Sequence, residues 1–188
     1  MMKKIALSVL LLIGGVLSQS CSPESKTEIN NPKEDFSDVI EVLSHEDSMV
    51  LLLPNSDLGV VSDFEDLLSD EEEITLKNKM DAHELETTNE IGIVTVSDFY
   101  PYENIDDYSL ELFNKWGIGK KDKNNGILIT VSKNNHNVRI STGTGMEDIL
   151  TDSIAFNINN EIMIPFFKEN DYFGGINAGL DAVIDYLK

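Results

Sequence analysis

The chain has 188 residues, a formal net charge of −20 at pH 7 and a single cysteine. A protein this acidic repels phosphate backbones, which excludes nucleic acid as a partner and favours divalent cations or basic partners. One cysteine allows neither an intramolecular disulfide nor a cysteine-rich zinc site, so the fold depends on its apolar core for stability.

The first twenty residues have the pattern of an export signal. Two lysines precede an apolar run at residues 5–17, which is shorter than the roughly 20 residues that a membrane span needs. Cys21 follows at the position where bacterial lipoproteins are cleaved and acylated, although Ser18 stands where that motif usually has leucine. We predict a lipoprotein-like signal peptide at residues 1–20 and an acylated Cys21 as the membrane anchor. Ordinary signal cleavage and a retained anchor helix are the alternatives.

Composition divides the rest of the chain into three segments. Residues 22–34 are polar and aperiodic, which predicts a flexible tether from the bilayer. Residues 35–57 combine a helical apolar spacing with a short apolar run, and we interpret them as an extension of uncertain structure. Residues 58–188 are long enough for one domain with its own core.

The domain begins with a helix signal and a strand signal. Ser69 and Glu72 form a capping-box pattern, which predicts a helix to about Thr88. Residues 91–96 are short and rich in β-branched side chains, which predicts a buried strand.

A second helix and two more strands follow. Apolar residues recur at three-to-four spacing from Ile105 to Trp116, and Gly117 suits the left-handed conformation that ends a helix. Residues 126–131 predict a second buried strand, so strand, helix and strand form a right-handed βαβ unit. Residues 138–141 come after a polar turn and predict an antiparallel hairpin strand.

The C-terminal segment predicts two helices. Ile154, Ile158 and Ile162 lie one turn apart, and we expect Pro165 to end that helix. A last helix begins at about Tyr172. The predicted fold class is α/β: a small mixed sheet, mostly parallel βαβ plus a hairpin, covered by helices on both faces.

Acidic side chains lie beside glycines in two of the predicted loops. Asp122 precedes an Asn-Asn-Gly sequence, whereas Glu147, Asp148 and Asp152 follow a Gly-Thr-Gly sequence. These last three acids repel one another unless a cation or hydrogen-bond donors offset their charge, and carboxylates are the ligands that Ca²⁺ prefers. Turn chemistry explains the first loop, and the helix dipole explains Asp152, without any ligand, so both interpretations stay open.

Three motifs between Leu112 and Asp152 follow one another in a specific order: LF-x-x-WGIG, NNGILI and VRI-x-x-G-x-G-x-E-x-x-LTD. This order resembles the TPM domain family, which includes thylakoid-lumen and bacterial envelope proteins and is named partly for a phosphatase activity. The resemblance covers about residues 58–188 and implies that an acid from the domain's opening segment joins the site. The predicted ligands of a divalent cation, Ca²⁺ first, are then Asp63, Asp122, Glu147, Asp148 and Asp152.

Three interpretations are compatible with these residues. The first is an exported module, held at the cell envelope by its lipid, that carries the cation site and binds or assembles an envelope protein partner. The alternative, implied by the resemblance, is a weak metal-dependent acid phosphatase on phosphomonoesters, with Asp63, Asp122 and Asp152 as candidate catalytic residues. A third possibility is that residues 35–53 bind the partner and the domain is a scaffold. The sequence has no zinc-binding histidine spacing, nucleophile elbow or P-loop, so no other enzyme class is indicated.

Overall fold

A computed structural model describes residue 53 and residues 61–188, which belong to one compact unit, residues 36–188. The predicted signal peptide, Cys21, the tether and nearly all of the extension lie outside the described residues. The elements in chain order are β1 (Val61–Asp63), α1 (Asp70–Thr87), β2 (Glu90–Thr95), α2 (Ile105–Trp116), β3 (Gly126–Ser132), β4 (Asn137–Thr142), α3 (Asp152–Asn157), a π-helical segment (Ile158–Met163), α4 (Ile164–Lys168) and α5 (Tyr172–Tyr186).

The four strands form one mixed sheet in the order β1-β2-β3-β4. β1, β2 and β3 are parallel, and β4 returns antiparallel to β3 with Ile129 opposite Ile140. All seven residues of β3 are buried, as expected for a central strand with helices over both faces. The α/β class and the mixed sheet are therefore confirmed. The three-residue β1 was not predicted, because so short a strand has no readable periodicity.

Two apolar clusters fill the space above and below the sheet. On one face, the inward side chains of β3, such as Ile127 and Ile129, pack with α1 and α5. On the other face, Leu128 packs with Leu112 of α2 and with Leu53, the one described residue of the extension. Alternate residues of a strand point to opposite faces, so the same strand supplies both clusters.

The predicted ends of α1 and α2 are confirmed. The Ser69 hydroxyl accepts a hydrogen bond from the Glu72 N–H at 3.4 Å, and the Ser69 N–H donates to the Glu72 carboxylate at 2.8 Å. This reciprocal pair is the capping box, which satisfies N–H groups that have no partner within the helix. Gly117 ends α2 with φ of 65°, the left-handed conformation that glycine adopts at low cost.

The prediction that Pro165 ends the helix begun at Asp152 was wrong. The chain stays helical to Lys168 because the hydrogen-bond register widens before the proline, as the Ile164 N–H donates to the Asn159 carbonyl, five residues back. Pro165 then lies in the first turn of α4, where its missing N–H costs nothing. Met163, the last residue of the π-helical segment, is fully buried against Gly179 of α5. A Cβ added to Gly179 would overlap the Met163 side chain.

His83 is a titratable group inside this core. It lies on α1, only 5% exposed, and its Nε2 has no hydrogen-bond partner. Burial lowers the pKa of His83; the charge of Glu86 raises it and that of Lys188 lowers it, both by less. A buried neutral imidazole must be charged or unfolded when the pH falls.

We expect His83 to make the fold less stable in acid. The pKa of His83 in the folded protein lies below that of an unfolded histidine, about 6.5. The contribution of His83 to the free energy of unfolding is therefore complete above about pH 6.5 and is lost as the pH falls through the lowered folded pKa. Melting curves should show the wild type losing more stability than His83→Leu between about pH 8 and about pH 5. The carboxylates titrate in both proteins, so parallel pH profiles would contradict the prediction.

Candidate functional site

An open cleft of about 680 Å³ lies between α2, the edge strand β4 and the start of α3. Four carboxylates line it, together with one guanidinium and several hydroxyl groups. The acidic residues are Asp106, Asp107, Glu147 and Asp152, the cation is Arg139, and the hydroxyls belong to Ser141, Thr142, Thr151 and Ser153. We call this the acidic cleft.

Asp106 and Asp107 are placed in the cleft by the first turn of α2. The Asn104 side chain caps this helix: its Oδ1 accepts from the Asp107 N–H at 2.9 Å, and its Nδ2 donates to the Asp107 carboxylate at 2.8 Å. Carboxylates in a first turn are stabilised by the helix dipole. The fold therefore supports two negative charges here without a bound cation.

Asp152 stands at the start of α3 on the opposite side of the cleft. Thr151 caps this helix by accepting from the Ile154 N–H at 3.4 Å. The Asp152 side chain is fully exposed, at 100%, and among the described residues its one ion pair is with Arg139 Nη2 at 3.9 Å. Its carboxylate oxygens are therefore available to a ligand.

Arg139 lies between the two acidic walls. Its Nε is 3.3 Å from the Asp106 carboxylate but forms no hydrogen bond within the described residues, and its side chain is 37% exposed. Half-exposed ion pairs of this kind contribute at most about 1 kcal/mol, so Arg139 offsets the acidic charge without closing the cleft.

Two glycine-containing loops pack backbone against backbone below Glu147. The Gly143 N–H donates to the Gly126 carbonyl at 2.9 Å, and the Gly145 N–H donates to the Asn124 carbonyl at 3.0 Å. A Cβ on Gly143 or Gly145 would overlap the carbonyl oxygen of Asn124 or Lys123. Gly143 and Gly145 are thus explained by this close crossing, which fixes where Glu147 emerges.

The turn interpretation of the Asn-Asn-Gly loop accounts for Asn125. This side chain is 2% exposed; its Oδ1 accepts from the Lys120 N–H at 2.9 Å and its Nδ2 donates to the Thr88 carbonyl at 2.8 Å. The loop leads into β3, so it lies at the amino edge of the sheet, whereas α/β sheets hold ligands at the carboxyl edge.

The lysines beside this loop are partly engaged. Lys120 Nζ donates hydrogen bonds to the Glu90 carboxylate and to the Glu84 carboxylate, and these two bonds, the one to Glu90 most, raise the pKa of Lys120. Lys123 donates to the Thr88 hydroxyl at 2.6 Å. Lys120 and Lys121 line a second, smaller groove of about 350 Å³, which shares Glu147 with the acidic cleft.

The five predicted ligands do not converge on one point. Glu147 and Asp152 line the acidic cleft, Asp148 is exposed on the same loop, and Asp122 is exposed in the neighbouring turn. Asp63 ends β1, which β2 and β3 separate from β4, and its carboxylate accepts from the Leu68 N–H at 2.7 Å and from the Thr95 hydroxyl. Within residue 53 and residues 61–188, no three His, Cys, Asp or Glu side chains are close enough to hold a metal ion.

Sequence reasoning missed Asp106, Asp107 and Arg139. The two aspartates were assigned only to a helical segment, although Asp-Asp at the second and third positions after Asn104 is a first-turn pattern. Arg139 places a charge between two apolar residues of a predicted strand. This charge could have predicted that one face of the strand borders a site.

A mixed four-stranded sheet between helices, with an acidic cleft beside its antiparallel edge strand, defines a small α/β domain. The sequence profile of the TPM domain family matches residues 61–186, and the chain belongs to that family. The resemblance stated from the motifs is thereby confirmed. No curated protein sequence matches the chain.

Solved structures are similar in fold. The N-terminal domain of a protein from P. gingivalis is 30% identical, with a TM-score of 0.63, and the match covers 68% of this chain and 81% of that one. The BA42 protein from Bizionia argentinensis is 21% identical, with a TM-score of 0.57, over 66% of this chain and 83% of that one. The N-terminal domain of the cg2496 protein from Corynebacterium glutamicum is 16% identical, with a TM-score of 0.56, over 72% and 84%. The last two show the fold alone.

Proposed function

We propose that the chain is an exported, lipid-anchored TPM-domain protein that binds a divalent cation, Ca²⁺ first, in the acidic cleft. It acts as a binding or assembly module for another protein of the cell envelope. The observation that supports this is the presence of four carboxylates and one arginine around a single open cleft. Such a cleft attracts cations, because its formal charge is negative and its oxygens are exposed.

The geometry favours a partly hydrated ion. Ca²⁺ takes about six to eight oxygen ligands, and no three acidic or histidine side chains converge within the described residues. Glu147 and Asp152 would supply the protein oxygens, and water or an acidic group of a partner would supply the rest. An ion with exchangeable ligands can bridge two molecules, which suits a binding module.

The anchor would lie at the other end of the chain. The signal peptide at residues 1–20, the acylated Cys21 and the tether at 22–34 precede the described residues, and they would hold the domain at the envelope side of a bacterial membrane. Within residues 61–188, no helix is both long and apolar enough to cross a bilayer.

A metal-dependent phosphatase is the second candidate, and Arg139 favours it. A guanidinium beside an open carboxylate cleft can hold phosphoryl oxygens, while a bound cation would supply Lewis acidity and activate water. Of the candidate catalytic residues, Asp152 lines the cleft and Asp63 lies away from it. Turnover of a phosphomonoester with Mg²⁺, Mn²⁺ or Ca²⁺ that Asp152→Asn abolishes would support the enzyme; equal rates in both proteins would exclude it.

Calorimetric titration of Ca²⁺ into the purified full chain tests the cation site. We expect saturable, stoichiometric heat, weakened about tenfold or more in Asp152→Asn because one of the two protein carboxylates is lost. Asp185→Asn is the matched control: it removes an exposed carboxylate that pairs with Lys188 at the far end of α5. Weak, non-saturating heat in all three proteins would mean that the acids form only a diffuse charged surface.

Removing the charge of Arg139 should change Ca²⁺ affinity in the opposite direction from Asp152→Asn. Arg139→Gln removes the only cation that lines the acidic cleft among the described residues, so we expect Ca²⁺ affinity to rise severalfold, with the larger gain at low ionic strength. The same titration at two salt concentrations measures it. Unchanged affinity in Arg139→Gln would place the ion elsewhere on the chain.

A further inference from the structure

A further cleft of about 410 Å³, distinct from the groove beside Lys120, lies at the carboxyl end of β3. It shares no lining residue with the acidic cleft. Ser132 and His136 border it on the hairpin side, and α4 and the start of α5 form the opposite wall. Ligands of α/β proteins bind preferentially beyond the carboxyl ends of the strands. The position of this cleft is therefore the one that the fold class favours for a small molecule.

The floor of this cleft is apolar and held in place. The rings of Phe167 and Tyr172 stack with centroids 5.0 Å apart and planes inclined by 18°. Lys133 Nζ lies 5.3 Å from the centroid of the Tyr172 ring, and Tyr172 is only 8% exposed. Together with Ile164, these rings offer a fixed, flat apolar surface.

The rim of the cleft is basic, although the chain as a whole is strongly acidic. Lys168 and His136 line it, and Lys133 lies over Tyr172. Within the described residues, none of these three side chains forms an ion pair with a carboxylate. The described basic residues that do are Lys77, Lys79, Lys120, Arg139 and Lys188. The positive charge at this rim is therefore available to an anion.

The Glu65 carboxylate beside the hairpin is engaged by the backbone. Glu65 accepts hydrogen bonds from the Lys133 N–H at 2.8 Å and from the Asn134 N–H at 3.3 Å. These bonds hold the hairpin turn and leave the Lys133 ammonium without a carboxylate. Glu65 keeps its negative charge there, but within the described residues it forms no ion pair with Lys133.

Two hydroxyl groups at the cleft have protons to donate. The Ser132 hydroxyl accepts from Asn135 Nδ2 at 3.0 Å and donates to no other described residue. The Tyr172 phenol is protonated at neutral pH, as an ordinary phenol is, and burial, with a smaller effect of the Glu65 charge, raises its pKa further. Its hydroxyl donates no hydrogen bond within the described part of the chain. Free donors beside basic groups match the oxygens of an anion.

We propose that this cleft binds a small organic anion. The planar apolar body of the ligand lies against Phe167 and Tyr172, and its carboxylate or phosphate contacts Lys168, His136 and the Ser132 hydroxyl. This site is separate from the cation site of the acidic cleft, and neither depends on the other.

Amide NMR titrations of the purified full chain test this site with four probes: phenyl phosphate, 3-phenylpropionate, inorganic phosphate and benzyl alcohol. We expect either aromatic anion to shift signals of residues 132–136 and 164–172 saturably, and to bind at least about fivefold more tightly than inorganic phosphate or benzyl alcohol. Whichever of phenyl phosphate and 3-phenylpropionate binds more tightly shows whether the site prefers a phosphate or a carboxylate. Either preference supports the proposal.

Lys168→Gln and His136→Asn should each weaken that binding about fivefold or more. His136 has φ of 53°, a conformation that asparagine tolerates, so this variant removes the imidazole and keeps the backbone. Lys121→Gln, a lysine of the other groove with no ion pair among the described residues, should leave binding unchanged. The proposal is overturned by an absence of saturable shifts, by equal binding of benzyl alcohol, or by equal affinity in all variants.

Discussion

Gly143→Ala should lower the free energy of unfolding by about 2–3 kcal/mol and also weaken cation binding at the acidic cleft. The added methyl group would overlap the carbonyl oxygen of Asn124, and backbone atoms on both sides leave no flexible side chain to move aside. The loop that carries Glu147 must shift to relieve the overlap. One substitution therefore tests both the packing and the site that this packing positions.

Urea unfolding measures the first effect, and Gly117→Asn is the control. Gly117 has φ of 65°, and no atom lies within 4 Å of the place that a Cβ would occupy, so asparagine there meets only the cost of the left-handed conformation, about 1 kcal/mol or less. If Gly143→Ala were no more destabilising than Gly117→Asn, the close crossing of the two loops would not be the reason for the glycine motif.

Ser109→Ala should destabilise the domain by about 2 kcal/mol although it removes only one oxygen atom. Ser109 of α2 is fully buried, and its hydroxyl lies 2.8 Å from that of Thr130 on β3 and 2.9 Å from that of Ser141 on β4. Alanine would leave two buried hydroxyls without this partner, and an unsatisfied buried polar group costs more than a hydrogen bond gains. The bonds join α2 to β4, the two walls of the acidic cleft.

The triple variant Ser109→Ala, Thr130→Val and Ser141→Ala separates this cause from a packing defect. It replaces all three hydroxyl groups by apolar ones, so we expect it to recover most of the stability lost in the single variant. Unfolding curves of the two variants and the wild type provide the comparison. A triple variant that is less stable than Ser109→Ala would show that the hydroxyls act independently.

Local chemistry explains why the ends of α1 and α2 could be predicted from sequence. Ser69 bonds to Glu72 and Gly117 adopts positive φ within a few residues of each helix end, so each signal lies in a short window. The βαβ unit and the hairpin were likewise predictable, because apolar periodicity and turn residues mark each strand. These features depend little on distant parts of the chain.

Tertiary partners account for what the sequence could not predict. The helix continues through Pro165 because a π-helical register precedes it, and Met163 there fits against Gly179. Asp63 was assigned to the cation site, yet its carboxylate bonds to Thr95, which is 32 residues away in sequence. Arg139 approaches Asp106 and Asp152 only when β4, α2 and α3 assemble. No local pattern encodes such contacts.

Paramagnetic broadening by Mn²⁺ locates a bound cation and so tests the central proposal most directly. At substoichiometric Mn²⁺, we expect amide signals around Glu147 and Asp152, and at the first turn of α2, to broaden first, and excess Ca²⁺ to restore them. The acidic first turn of α1, Asp70 to Glu73, is the internal comparison, because it carries four acids. Broadening there as early and as strongly as at the acidic cleft would contradict the proposed site.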